Sequence, residues 1–297
     1  MKAISKIVIV WLFFSPFSAF SQNDIVGEIK TYVTSKKNED IQDISRKFDV
    51  GWVEMVAANP SIRAGKIPRG THLMIPSAHI LPAGAREGIV VNLSGMRLFY
   101  FAPGGSISTH PISIGKEGWA TPIGETEVVD KRKDPVWRPP ASIRKEDPSL
   151  PLIVPAGPEN PLGKYALALD HDGVMIHGTT SPRSIGKQRS HGCIRMYPED
   201  IEKLFNQVSV GTPVTIIDTP FKLGFQDKVL YLEVTPTQEQ AMAIQAGKKK
   251  PATDEAAVHL AIGDLAKVQN IKIDWYTVDK AIQNADGIPT IIGYLSR

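Results

Sequence analysis

Only one cysteine, Cys193, occurs in the 297 residues of this chain. A single thiol cannot close an intramolecular disulfide, so the chain is not a disulfide-stapled scaffold. Nor can it supply a cysteine-rich zinc or iron–sulfur site. The fold therefore has to rest on buried apolar area. With 42% hydrophobic and 22% charged residues, the composition provides for an ordinary globular core. Single cores stop growing near about 250–300 residues, so two or three modules are expected.

Lys2 and Lys6 flank the start of an apolar run over residues 7–14, followed by Ser15, Pro16 and then Ala19, Phe20 and Ser21. A basic start, a short apolar stretch and small residues describe a signal peptide over 1–21, cleaved after Ser21. The run is far shorter than the roughly 20 residues that span a bilayer, and Ser15, Pro16 and Ser18 argue against an uncleaved anchor. There is no cysteine at the cleavage site to acylate, and no transmembrane segment is expected in the mature chain. The mature chain is expected outside the cytoplasm, where a lone thiol is oxidised unless it is buried or useful. Losing two lysines from a net charge of +3 leaves it nearly neutral, which disfavours nucleic acid as a partner.

Residues 27–76 read as a small βααβ unit. Residues 31–34 form a short strand, Asn38 caps a helix with Ile41, Ile44 and Phe48 on one face, 52–58 form a second helix stopped by Asn59-Pro60, and 71–75 form a closing strand. The stretches 41–48, 58–60 and 70–76 resemble a LysM module, which implies binding to glycans containing N-acetylglucosamine. Residues 77–87 read as a linker.

From Gly88 the pattern turns to strands: 89–92 and 96–101 as a hairpin around Ser94-Gly95, then 107–114, 126–129, 165–169, 174–176 and 213–217. The proline- and charge-rich stretch 130–161 is long for a loop, and its turn chemistry with Trp137, Pro139 and Pro140 suggests an ordered lid. Pro198, Glu199 and Asp200 open a helix with Ile201, Leu204, Phe205 and Val208 on one face. Residues 219–297 read as an accessory region, with a strand over 231–234 and helices over 238–246, 255–268 and 277–285.

Two short motifs carry chemistry: His177-Gly178-Thr179 and Ser190-His191-Gly192-Cys193-Ile194-Arg195. A thiolate is the nucleophile, and near neutral pH a free cysteine is mostly protonated. A histidine within reach can take that proton and return it to a leaving amine. His177 follows an apolar strand, a rigid place for a base. Cys193 lies in a glycine-containing turn whose successive N–H groups can face an oxyanion. Arg195 offers a planar, permanent charge to a substrate carboxylate. A lone cysteine is often only a small buried hydrophobe, but these neighbours in an oxidising compartment favour the nucleophile. His191 either transfers protons or holds the turn. A zinc site built from His177, His191 and Cys193, with or without His171, is the competing reading.

Together the two motifs resemble the catalytic signature of L,D-transpeptidases of the ErfK/YbiS type. The likeness extends to residues 87–92, 96–98, 137–139, 154–158 and 160–163, to the LysM-like unit, and more weakly to residues 273–275. It implies a mainly β catalytic domain over 88–218, a β-sandwich with a flanking helix. It implies Cys193 as nucleophile and His177 as proton carrier, with the Gly178 carbonyl orienting the imidazole. The N–H groups of Gly192 and Cys193 would hold the oxyanion, while Ser190, His191 and Arg195 position substrate and shape the pocket. The implied partners are peptidoglycan stem peptides and glycan strands in the periplasm, with a stem amine or a lipoprotein lysine as acceptor. No metal or organic cofactor is required. Water as acceptor would make the enzyme a carboxypeptidase or a lipoprotein-detaching hydrolase, and an inactive site would leave a wall-binding protein.

Overall fold

The computed structural model describes residues 23–296 apart from Arg63, Ala64, Ala85, Asp172 and Lys249. The expected signal peptide over 1–21 lies outside the described residues. The N-terminal unit contains β1 (Ile25–Gly27), β2 (Lys30–Val33), β3 (Glu39–Asp40), α1 (Ile41–Lys47), α2 (Trp52–Ala58), β4 (Lys66–Ile67), β5 (His72–Ile75) and β6 (Ala78–Ile80). Strand β2 pairs antiparallel with β5 around the two helices, so the expected βααβ order is present. The helix cap falls elsewhere than expected: Asp40 caps α1 by accepting from the Gln42 N–H at 2.8 Å, while Asn38 takes a left-handed φ of 61°. The expected linker is also partly strand. Residues 78–80 pair with 25–27, and Ile80 is fully buried.

The central region contains β7 (Gly88–Asn92), β8 (Arg97–Phe101), β9 (Ile107–Gly115), β10 (Gly124–Lys133), α3 (Ala141–Glu146), β11 (Tyr165–Leu169), β12 (Met175–His177), β13 (Gln188–Ser190), β14 (Ile194–Met196), α4 (Pro198–Gln207) and β15 (Pro213–Ile217). It closes into an eight-stranded barrel in the order β9-β14-β12-β11-β10-β15-β7-β8 and back to β9, with β13 attached outside on β9. This corrects the expected sandwich. Two long strands make the closure: residues 107–111 of β9 pair with β8 while Ile112 and Ser113 pair with β14. Likewise residues 124–127 of β10 pair with β15, and its later residues pair with β11 across a bulge. Each long strand thus belongs to two ladders, leaving no open edge in the ring. Ile89, Val91, Leu98, Ile112, Ile114, Leu167, Ile176, Ile194 and Val214 fill one core, which continues into Ile41, Ile44, Val53, Met55 and Ile75 of the N-terminal unit.

The C-terminal region is a four-stranded sheet of β16 (Phe221–Gln226), β17 (Val229–Val234), β18 (Ile271–Ile273) and β19 (Thr290–Leu295), ordered β16-β17-β19-β18. With it go α5 (Gln238–Gln245), α6 (Glu255–Gln269) and α7 (Trp275–Asn284). Three of these strands were not legible in the sequence pattern. Its core of Leu230, Leu232, Val258, Ile262, Val278 and Ile282 is separate from that of the barrel. Among the described residues, no helix is long and apolar enough to cross a membrane.

Candidate active site

Register places the functional side chains. Strands β12 and β14 run parallel, with Ile176 opposite Ile194 and His177 opposite Arg195. Side chains alternate along a strand. Ile176 and Ile194 point into the core, so Met175, His177, Cys193 and Arg195 face the other way. These four, with Ser190 and His191, line one cleft of about 490 Å³. The stretch after β10 covers it as an ordered lid, pinned by paired bonds between Trp137 and Val154 of 2.9 and 2.8 Å. Asn160 holds the lid base from inside, donating to the Pro135 carbonyl at 2.7 Å. Gly163, at a φ of 69°, lets this turn pack behind the site, where a Cβ would come within 2.9 Å of the Thr179 nitrogen.

His177 is 4% exposed, and its Nδ1 lies 2.7 Å from the Gly178 carbonyl oxygen. A carbonyl only accepts, so Nδ1 carries the proton and Nε2 is the basic nitrogen. Burial, then the Arg195 charge, push its pKa down to about 4, with the Gly178 and Leu162 carbonyls opposing. Burial pushes the Cys193 thiol above its ordinary value, against smaller opposing effects of the Met175 backbone and Arg195. At neutral pH both groups are therefore uncharged. The half-buried thiol donates to the Gly173 carbonyl at 3.4 Å. Arg195 is half-buried, and its Nε has no hydrogen-bond partner among the described residues, leaving donor capacity at the cleft.

The loop before Cys193 is held by its own polar groups. Ser190 Oγ donates to the Cys193 carbonyl at 2.5 Å and accepts from the Gly192 N–H at 3.2 Å. The Gly192 amide is thus engaged within the loop, at a φ of 102° that suits glycine. Thr121 Oγ1 donates to the Gly192 carbonyl at 3.0 Å. His191 turns outward to Glu146 of α3, 2.9 Å away, and lies edge-on to Trp119 at 4.8 Å. Glu146 also accepts from Lys116 Nζ at 3.0 Å and Trp119 Nε1 at 2.7 Å. These contacts, His191 first, hold its carboxyl down to about 2. The zinc reading loses its geometry here. Among the described residues, the one three-ligand group that converges is Asp49, His110 and Asp200, not His177, His191 and Cys193. Sequence reasoning missed Glu146, Lys116 and Trp119, which lie in stretches without periodicity. It also missed the Gly173 carbonyl.

A cysteine and a neutral histidine sharing a lidded cleft on the flank of a closed β-barrel describe a protein of the acyl-transfer type. Residues 86–216 match the family model of the YkuD L,D-transpeptidase catalytic domain. The chain is 42% identical over 210 residues to the Probable L,D-transpeptidase YcfS of Escherichia coli (strain K12), covering 67% of this chain and 65% of that protein. It is 35% identical over 278 residues to the Probable L,D-transpeptidase ErfK/SrfK of Salmonella typhimurium, covering 90% of this chain and 87% of that protein. A crystal structure of L,D-transpeptidase 3 from Mycobacterium tuberculosis aligns with 48% of this chain and 64% of that one, at 21% identity and a TM-score of 0.36. The chain belongs to the L,D-transpeptidase family of enzymes.

Proposed function

We propose that the protein is a periplasmic peptidoglycan L,D-transpeptidase acting through a thioester on Cys193. The observation that carries this reading is the bond from His177 Nδ1 to the Gly178 carbonyl, which leaves Nε2 as a base in the cleft that Cys193 also lines. The resting pair is neutral, so the reaction runs by general-base catalysis rather than from a standing thiolate. Rotation of the Cys193 side chain away from Gly173 presents its proton to Nε2. The sulfur then attacks the carbonyl on the L-centre of the third stem residue. The amide C–N bond breaks, His177 returns the proton to the amine, and D-alanine leaves.

An incoming amine next attacks the thioester, loses its proton to His177, and expels the thiolate as the new amide forms. No ATP is needed, because the donor amide supplies the free energy. With the Gly192 N–H engaged by Ser190, the Cys193 N–H is the loop's donor to the oxyanion until that bond opens. Arg195 receives a substrate carboxylate, and the lid excludes water that would divert the thioester to hydrolysis.

We assign residues 88–218 to the catalytic domain, 219–297 to an accessory region and 27–76 to a LysM module that tethers the enzyme to glycan strands. The βααβ order supports the last assignment. Tethering raises the local concentration of stem peptides. Mass spectrometry after incubation with a disaccharide tetrapeptide and a lysine-ending lipoprotein peptide tests the reading. A dimer lacking one D-alanine establishes cross-linking, a peptide adduct establishes anchoring, and tripeptide alone means hydrolysis. No mass change from protein that still binds glycan overturns the assignment.

A further inference from the structure

Away from the cleft, three side chains from three elements converge. They are Asp49 in the turn between α1 and α2, His110 on β9 and Asp200 in the first turn of α4, with ligand atoms all within 4.8 Å of one another. His110 Nδ1 lies 3.3 Å from Asp200 Oδ1 and 3.6 Å from Asp49 Oδ2. His110 and Asp200 are 5% and 2% exposed. Three buried atoms of the group, Asp49 Oδ1, His110 Nδ1 and Asp200 Oδ2, have no hydrogen-bond partner among the described residues. Two carboxylates this close repel unless a cation stands between them, and protonated His110 supplies that charge. Burial lowers its pKa, but the hydrogen bonds and charges of Asp200 and Asp49 raise it to about 8, so a metal ion bound here displaces a proton.

We propose that Asp49, His110 and Asp200 form a binding site for a divalent transition-metal ion, Zn²⁺ by its donor set. Imidazole nitrogen and carboxylate oxygen are zinc ligands at about 2.0–2.2 Å, which in a tetrahedron sets neighbouring ligand atoms about 3.3–3.6 Å apart. The two His110 separations match that spacing. The other ring nitrogen, Nε2, lies 3.3 Å from Ser108 Oγ, an outer-shell contact of the kind that orients a metal-binding imidazole, here with Nδ1 facing the carboxylates. Half-exposed Asp49 leaves an entry path and room for water in the fourth position.

Besides the His110 imidazolium, two cations adjoin the group. Lys203 Nζ lies 3.3 Å from Asp200 Oδ1, on an exposed side chain free to swing away, and Arg97 donates to the Asp49 backbone carbonyl at 3.1 Å. An ion here staples the N-terminal unit to the barrel and to the helix that follows the Cys193 motif.

The test is calorimetric titration of Zn²⁺ into the full chain carrying Cys193→Ala, which removes the thiol as a competing ligand. Visible absorption of bound Co²⁺ is the second readout. The expected result is one ion per chain, a tetrahedral Co²⁺ spectrum, and a melting temperature raised by about 5 °C at a hundredfold excess over Kd. Asp49→Asn is expected to weaken binding at least tenfold. It leaves the fold intact, because Asn suits the φ of 54° that Asp49 adopts. His110→Gln is expected to abolish the Co²⁺ spectrum. The proposal is overturned by no binding, by binding indifferent to both substitutions, or by binding lost only with His177→Ala or His191→Ala.

Discussion

Glu146 accepts a hydrogen bond from His191 Nε2 at 2.9 Å, and this contact ties the lid helix α3 to the loop that carries Cys193. The same carboxylate gathers Lys116 and Trp119, so one side chain joins the lid, the β9–β10 connection and the nucleophile loop. Glu146 is a positioning residue, acting on the chemistry through His191. Glu146→Gln keeps the shape and removes the charge that strengthens these bonds. Weakening these exposed charge-assisted bonds predicts a fall in kcat/KM of roughly tenfold. KM should carry most of the change, and limited proteolysis of residues 138–152 should accelerate. Unchanged KM and proteolysis would show that the lid closes without this tie.

Cys193 and His177 should behave as one unit. Cys193→Ala should abolish the acyl-enzyme mass adduct altogether. His177→Gln should slow its formation by about 10²–10⁴-fold, the usual worth of a positioned base. Single-turnover mass spectrometry reads both. A His177→Gln adduct formed at the native rate would mean that another group takes the thiol proton.

The neutral pair also fixes a pH dependence. His177 works only unprotonated, and its pKa is held down to about 4 by burial and by Arg195. Activity should therefore persist below pH 6 and fall as pH drops through about 4, as seen in the acid limb of kcat/KM. An acid limb near 6.5 would mean an imidazole in ordinary solvent. Stability carries the same sign. The unfolded chain binds the proton near its ordinary value of about 6.5, so the His177 contribution is present above that pH and is lost as pH falls toward 4.

Much of this architecture is legible in the sequence because the signals are local. Strands over 165–169 and 213–217 alternate or run apolar between turn residues, and Pro198 with two acids marks the start of α4. The chemistry is legible because Ser190 to Arg195 are contiguous and His177 ends an apolar strand. Barrel closure is not local. It depends on β9 pairing with two partners, which no periodicity within residues 107–115 encodes. Glu146 is invisible for the same reason, since its partners lie 27, 30 and 45 residues away. Strands β13 and β14 are too short to show a period of two, and Asp49, His110 and Asp200 meet only once three elements are packed.

The N-terminal unit is docked through a buried charge pair. Arg97 on β8 donates through Nε and Nη2 to the two Glu54 carboxylate oxygens of α2, both at 2.8 Å. The pair is nearly solvent-free, and Glu54 also accepts from the Gly51 N–H at 2.5 Å. Desolvation pushes the Glu54 carboxyl up, but the charge and hydrogen bonds of Arg97, with His79 and the Gly51 N–H, together outweigh it and hold the carboxyl below its usual range. Removing one partner strands the other charge in the interior, so Glu54→Ala or Arg97→Ala should cost about 3–5 kcal/mol in urea unfolding. The double substitution Glu54→Leu with Arg97→Met should recover most of that loss, because it removes both desolvated charges together. If Glu54→Ala alone costs less than about 1 kcal/mol, water reaches this contact and the two units are held chiefly by the shared apolar core of Met55, Val53 and Ile112.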